Sequence, residues 1–144
     1  MSQATKVRAP LLPTYAQAVA FLRAVDGTSA KVIRQMISLI HEQTGTPQNP
    51  VDWVNPDEWI SERLSGDYAA LALKIWLQDD HVLNPRHCYG AHLFTNNHGL
   101  LEVGSDGGAR ISSLGGLYMA GDKATIRAID DDEGILALLS MLDV

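Results

Sequence analysis

Between Asn84 and His98 the chain gathers Arg86, His87, Cys88, His92, Thr95, Asn96 and His98, side chains that can coordinate, donate or accept. Three chemistries compete for them. Cys88 and His92 lie four apart, a helical spacing that suits a shared metal, but a structural zinc needs four converging ligands. His87 and His98 fall on a different side, so no metal is expected. Cys88 as a nucleophile would need a base and an oxyanion site, and no acid is spaced to orient His92. No catalytic residue is assigned. Recognition of a polar edge remains: His92 and Asn96 offer donors and acceptors, and small residues at Ala91 and Thr95 permit close approach. Arg86 and His87 stand at a helix start, where free N–H groups favour an anion.

Local grammar positions these residues. Asn84 is a ready N-cap, Pro85 suits the first helical position, and Gly99 suits a left-handed end, so a helix is expected from about Pro85 to about His98. With Leu93 and Phe94 inward, Cys88, Ala91, His92, Thr95 and Asn96 turn outward at 100° per residue. A hairpin follows. Leu101, Val103, Ala109 and Ile111 must share its apolar face. A two-residue Asp106-Gly107 loop would set Val103 against Arg110 and mix the faces. A three-residue loop, Ser105 to Gly107 or Asp106 to Gly108, keeps them apart and leaves Arg110 toward solvent. A helix, a tight hairpin and a return segment make the sequence pattern of a winged helix, in which that side of the wing can face nucleic acid.

The remaining elements read as support. Residues 1–13 look like a flexible arm. Thr14 caps a helix with Ala18, Phe21, Leu22 and Val25 at helical spacing, closed by Asp26-Gly27. Ser29 opens a second, with Val32, Ile33, Met36, Ile37 and Ile40 on one face and Gly45 as its stop. Asn55-Pro56 starts a third, with Glu58 placed for a capping box and Trp59, Ile60 and Leu64 inward. The next, over 67–78, is apolar nearly all round and is expected at the centre of the domain. After the hairpin comes a short helix or extended piece. Asp122 then caps KATIRAI, and a separate C-terminal helix is expected over about 133–143, with Asp130 to Glu133 as its solvated cap. The fold class is mainly α with a small β-hairpin, a winged helix-turn-helix with extra helices. One domain spans 14–144, and a helical pair is inserted at about 56–80.

Composition narrows the functions. At 144 residues and 46% hydrophobic content the chain can bury a core. No apolar run reaches the ~18 residues of a membrane span, no signal peptide is expected, and a lone Cys88 suits a reducing, cytoplasmic compartment. With 11 Lys and Arg against 17 Asp and Glu, the net charge of -6 excludes binding by bulk attraction to nucleic acid. Much of that acidity sits at Asp79-Asp80 and Asp130 to Glu133, while 84–128 is slightly basic. Trp53, Trp59 and Trp76, with Tyr68 and Tyr89, could line a pocket for a flipped or modified base. Trp59 and Trp76 fall on apolar stripes and read as core, and Trp53 is less constrained.

PTY at Pro13 to Tyr15, NPRH at Asn84 to His87, GLLE at Gly99 to Glu102 and DGGARISSLGG from Asp106 to Gly116 together resemble the N-terminal winged-helix domain of Mrr-like restriction endonucleases. That family cuts foreign or modified DNA, and the similarity spans most of 13–121. It implies a DNA-binding module joined to a nuclease domain elsewhere in the parent protein or assembly; on the reading of the helix and hairpin above, such a module would contact double-stranded DNA through Arg86, His87, Cys88, His92, Thr95, Asn96 and Arg110. The family's Asp…(Glu/Gln)-x-Lys metal site has no counterpart: Lys31 and Lys74 fall in helices, and Lys123 follows Gly121-Asp122 without a strand. The chain by itself is therefore expected to be no enzyme and to need no cofactor. The rival expectation is a winged-helix protein–protein interaction or homodimerisation module, for which an acidic balance is natural.

Overall fold

In the computed structural model the residues described are 12–43, 46–48 and 50–142, with side chains as far as 135. Thr14 starts the first helix as expected: its hydroxyl accepts from Gln17 N–H while the Gln17 side chain reaches back, a reciprocal capping box. Helix α1 (Tyr15–Val25) is followed by α2 (Ala30–Glu42), α3 (Pro56–Arg63) and α4 (Gly66–Trp76). Two 3₁₀ turns, Gln78–Asp80 and Pro85–His87, lead into α5 (Tyr89–Asn97). Strands β1 (Leu101–Val103) and β2 (Ala109–Ile111), then α6 (Ser113–Met119) and α7 (Lys123–Leu142), complete the order. The described residues are thus mainly helical, with one small antiparallel sheet. None of their helices is long and apolar enough to cross a membrane.

Two apolar clusters meet at α1. Phe21 and Val25 join Ile33, Met36 and Ile40 of α2, Trp59 of α3, and Leu71 and Ile75 of α4 in the first. Val19 and Leu22 join Phe94, Leu100, Tyr118 and Ile129 in the second. The expected central helix, α4, does pack on α1, α2 and α3, yet it buries one face and leaves Leu73 and Leu77 exposed. The helix buried most nearly all round is α1, because Ala18, Ala20 and Ala24, all at 0% exposure, let neighbours close in from several sides.

The hairpin turns through three residues, Ser105 to Gly107. Val103 faces Ala109 and Glu102 faces Arg110, while Gly107 takes the left-handed conformation at φ +82°. Parity required an odd loop, and the earlier of the two three-residue frames is realised. Sequence reasoning missed a third participant. The turn between α1 and α2 lies along β2: Gly27 N–H donates to Ala109 O at 2.7 Å, Ala109 N–H to Thr28 O at 2.7 Å, and Ala30 N–H to Gly107 O at 2.9 Å. Asp26 Oδ1 adds a bond from Ile111 N–H at 3.1 Å. Four bonds therefore tie a hairpin of two three-residue strands to the first helical pair.

Three expectations change. The 85–98 helix begins as a 3₁₀ turn, with Asn84 Oδ1 capping Arg86 N–H at 2.9 Å, and becomes α-helical only from Tyr89. The C-terminal helix is not separate, since α7 runs unbroken from Lys123 behind an Asp122 cap that accepts from Thr125 N–H at 3.0 Å. Asp130 to Glu133 therefore lie mid-helix rather than at a cap. No proline or left-handed residue interrupts 129–135, so nothing local stops the helix there. The flexible-arm expectation falls mainly on 1–11, and the Gly45 stop on residue 45, both outside the described residues.

Helix α6 comes closest to the start of the hairpin at a glycine. A Cβ on Gly115 would stand 2.2 Å from the Leu100 carbonyl oxygen, whereas one on Gly116 would meet nothing within 4 Å. Gly115→Ala is expected to lose about 1–3 kcal/mol by urea unfolding, the usual overpacking range. Gly116→Ala should instead gain up to about 1 kcal/mol from helix propensity. Equal midpoints for the two variants would contradict this packing.

Candidate functional site

Helix α5 is a wedge with two buried flanks. Phe94 enters the second cluster, while Cys88 and Ala91, each 1% exposed, turn into the first, with Thr95 at 0% beside them. Cys88, Ala91 and Thr95 were expected on the outer face, and all three are inside. Burying them costs little: Thr95 donates its hydroxyl to Ala91 O at 2.9 Å or His92 O at 3.1 Å, and Cys88 behaves as a small apolar group. Burial pushes the Cys88 thiol up to about 12, which removes it from nucleophilic chemistry at neutral pH. Leu93, expected inside with Phe94, is half-buried.

A narrower ridge of α5 stays open. His92 is half-buried, Asn96 is exposed, and the Asn96 side-chain N–H donates to His92 O at 2.8 Å. The ridge borders a cleft of about 240 Å³, walled by Ile33 and Arg34 of α2, by His92 and Asn96, and by Leu101, Val103 and Ala109 of the hairpin. Burial, and then the Arg34 guanidinium, lower the His92 pKa. His92 is accordingly a neutral imidazole at pH 7, able to donate at one nitrogen and accept at the other. Arg34 was not singled out from the sequence. The available signal was its place with Lys31 on the polar stripe of α2, opposite Ile33, Met36 and Ile40.

The other candidates disperse. Arg86 is half-buried, its guanidinium 4.8 Å from the centre of the Trp53 ring, and Trp53 meets Trp59 edge-on at 4.9 Å. Arg86 is thus engaged by an aromatic face and does not line the cleft. His87 is exposed and lies outside that lining too. Arg110 projects from the outer side of the hairpin, as the odd loop requires, and bonds Asp106 Oδ2 at 3.1 Å. The Gly108 N–H and then Arg110 hold the Asp106 carboxyl below its usual range.

The aromatic residues form no common pocket. Trp59 is buried in the first cluster, and Trp76 stacks on His81 at 4.1 Å and donates to Asp57 Oδ1 at 3.1 Å. Tyr89 packs against His41, and Tyr68 lies against the first cluster. The arrangement around the cleft offers a guanidinium, a neutral imidazole and an amide above an apolar floor. These groups can bind and orient a polar ligand. Comparison with known proteins finds no matching family model, curated protein or solved structure.

Two solution measurements check this geometry. Since the folded His92 pKa lies below the ordinary 6.5, the unfolded chain takes up the proton first as pH falls. The His92 contribution to stability should be constant above that pH and decline as pH drops through it toward the folded pKa. In an NMR titration, Arg34→Gln should move the His92 midpoint upward without restoring it fully, because burial persists. Cys88 should resist iodoacetamide in the folded protein and react on unfolding; rapid labelling at neutral pH would place its thiol at the surface.

Proposed function

We propose that this chain is a DNA-binding winged helix-turn-helix, the recognition part of a modification-dependent restriction system whose nuclease lies elsewhere in the parent protein or assembly. It works by binding rather than catalysis. The single observation that carries the reading is the cleft between α2, α5 and the hairpin, where Arg34, His92 and Asn96 meet beside the wing. The element order also favours it: a helix, an edge segment paired to the hairpin, further helices, then a helix leading directly into the two strands. The footprint differs from the one read from sequence. His92, Asn96 and Arg110 stay in it, Arg34 joins, Arg86 and His87 are peripheral, and Cys88 and Thr95 act by packing. Asn96 and neutral His92 suit base edges, and the two arginines suit phosphates. A reducing cytoplasm suits the lone thiol.

A second reading has its own observation. Leu114 and Leu117 stand 41% and 49% exposed on α6, and a net charge of -6 is ordinary for a protein that binds protein or pairs with a second copy.

Fluorescence anisotropy on mixed-sequence duplexes, methylated and unmethylated, at about 50 and about 200 mM salt separates the two. A DNA reader binds, weakens with salt, and loses about one unit of log–log salt slope in Arg34→Ala. Asn96→Ala should flatten sequence or methylation preference more than it lowers overall affinity. Absence of binding at low salt, together with a self-association that Leu117→Glu abolishes, would replace this proposal by the interaction module.

A further inference from the structure

Away from the α2–α5–hairpin cleft, a second cavity of about 370 Å³ lies where α1 begins, between α5, α6 and α7. Its walls include Tyr15, Phe94, Tyr118, Asp130, Glu133 and Gly134. Its volume falls within the range of about 300–1,000 Å³ usual for small-ligand sites.

The walls combine two kinds of group that both attract positive charge. Three aromatic rings converge: Tyr15 and Tyr118 at 5.0 Å between centroids with a 48° tilt, and Phe94 and Tyr118 at 6.0 Å with a 57° tilt. The Tyr15 hydroxyl donates to Tyr118 O at 2.9 Å or Met119 O at 3.0 Å, which anchors that ring at its far end. Asp130 and Glu133, three apart on α7, add two carboxylates from one side. Glu133 is held by His98 Nε2 at 2.5 Å, with 10% of its side chain exposed, so its position is set from α5. Gly134 contributes no side chain, and a Cβ there would meet nothing within 4 Å.

We propose that this cavity is a binding site for an organic ammonium group, carried either by a free amine or by the methylated lysine of a peptide. An aromatic ring attracts a cation to the negative face of its quadrupole, and the Asp130 carboxylate adds charge beside the rings. A neutral ligand of the same shape would gain the apolar contacts and lose the electrostatic part. An anion is repelled. The field of Asp130 reaches the rings, since it contributes, after burial and Tyr15, to holding the Tyr118 hydroxyl up to about 12. Among the described residues that line the cavity there is no lysine or arginine, and Glu133 is already paired with His98.

The test titrates the full chain with choline and with its neutral isostere 3,3-dimethylbutan-1-ol, following amide and aromatic NMR shifts. Choline should bind saturably and about tenfold tighter than the isostere, with the largest shifts at Tyr15, Tyr118 and Asp130. Asp130→Asn, a change at an exposed position, should weaken choline several-fold and leave the isostere unaffected, whereas Arg34→Ala should alter neither. A short, otherwise uncharged peptide carrying trimethyllysine distinguishes the sources: tighter binding than choline assigns a protein partner, and equal binding assigns a free amine. Equal affinity for choline and isostere, shifts without saturation, or indifference to Asp130→Asn would each overturn the proposal. DNA binding is read separately, so its failure would leave this result untouched.

Discussion

Everything in this molecule leans on the burial of α1. An eleven-residue helix with Ala18, Ala20 and Ala24 between its larger side chains can be approached closely on several sides, and it is. Phe21 and Val25 serve the cluster shared with α2, α3 and α4, while Val19 and Leu22 serve the cluster shared with α5, α6 and α7. Both clusters therefore lose their common wall if this helix shifts. The turn after it carries the same role into the sheet, because Gly27, Thr28 and Ala30 bond β2 through the backbone. Two three-residue strands would be marginal on their own, and this third edge gives them a fixed place.

That arrangement explains why α5 has so little free surface. It is gripped from both clusters at once, by Phe94 on one flank and by Cys88, Ala91 and Thr95 on the other. What remains is a ridge, and its value depends on neighbours. Arg34 from α2 and the apolar inner side of the hairpin turn His92 and Asn96 from two surface residues into one wall of a cleft. The overall acidity matters less to such a site than its local balance, since exposed charges beyond about 10 Å are largely screened at ordinary salt. In the hairpin, Asp106 engages Arg110, which orders the loop and lessens the free positive charge there.

The long last helix changes how the acidic run is understood. Had Asp130 to Glu133 begun a helix, they would have been ordinary solvated carboxylates near a positive dipole end. In mid-helix they face particular partners instead: Glu133 meets His98, and Asp130 and Glu133 both border an aromatic cavity. Charge read from composition as a uniform excess is thereby resolved into separate roles.

The local rules were legible in the residues. Caps at Thr14, Asn55, Asn84 and Asp122, the left-handed glycine at Gly99, and the odd hairpin loop all follow from interactions within a few positions along the chain. The apolar stripe of α2 and the burial of Trp59 were legible for the same reason, a period of 3.6 and side chains of one character. The roll of α5 was not. Its flanks carry a cysteine, an alanine and a threonine, residues nearly as content inside as outside, so periodicity leaves the angle open and contacts from α1 and the first cluster settle it. The same holds for the pairing of the α1–α2 turn with β2, for Arg34 beside His92, and for the rings and carboxylates around the second cavity. Each joins residues tens of positions apart, and only the packing of whole helices decides which of them meet.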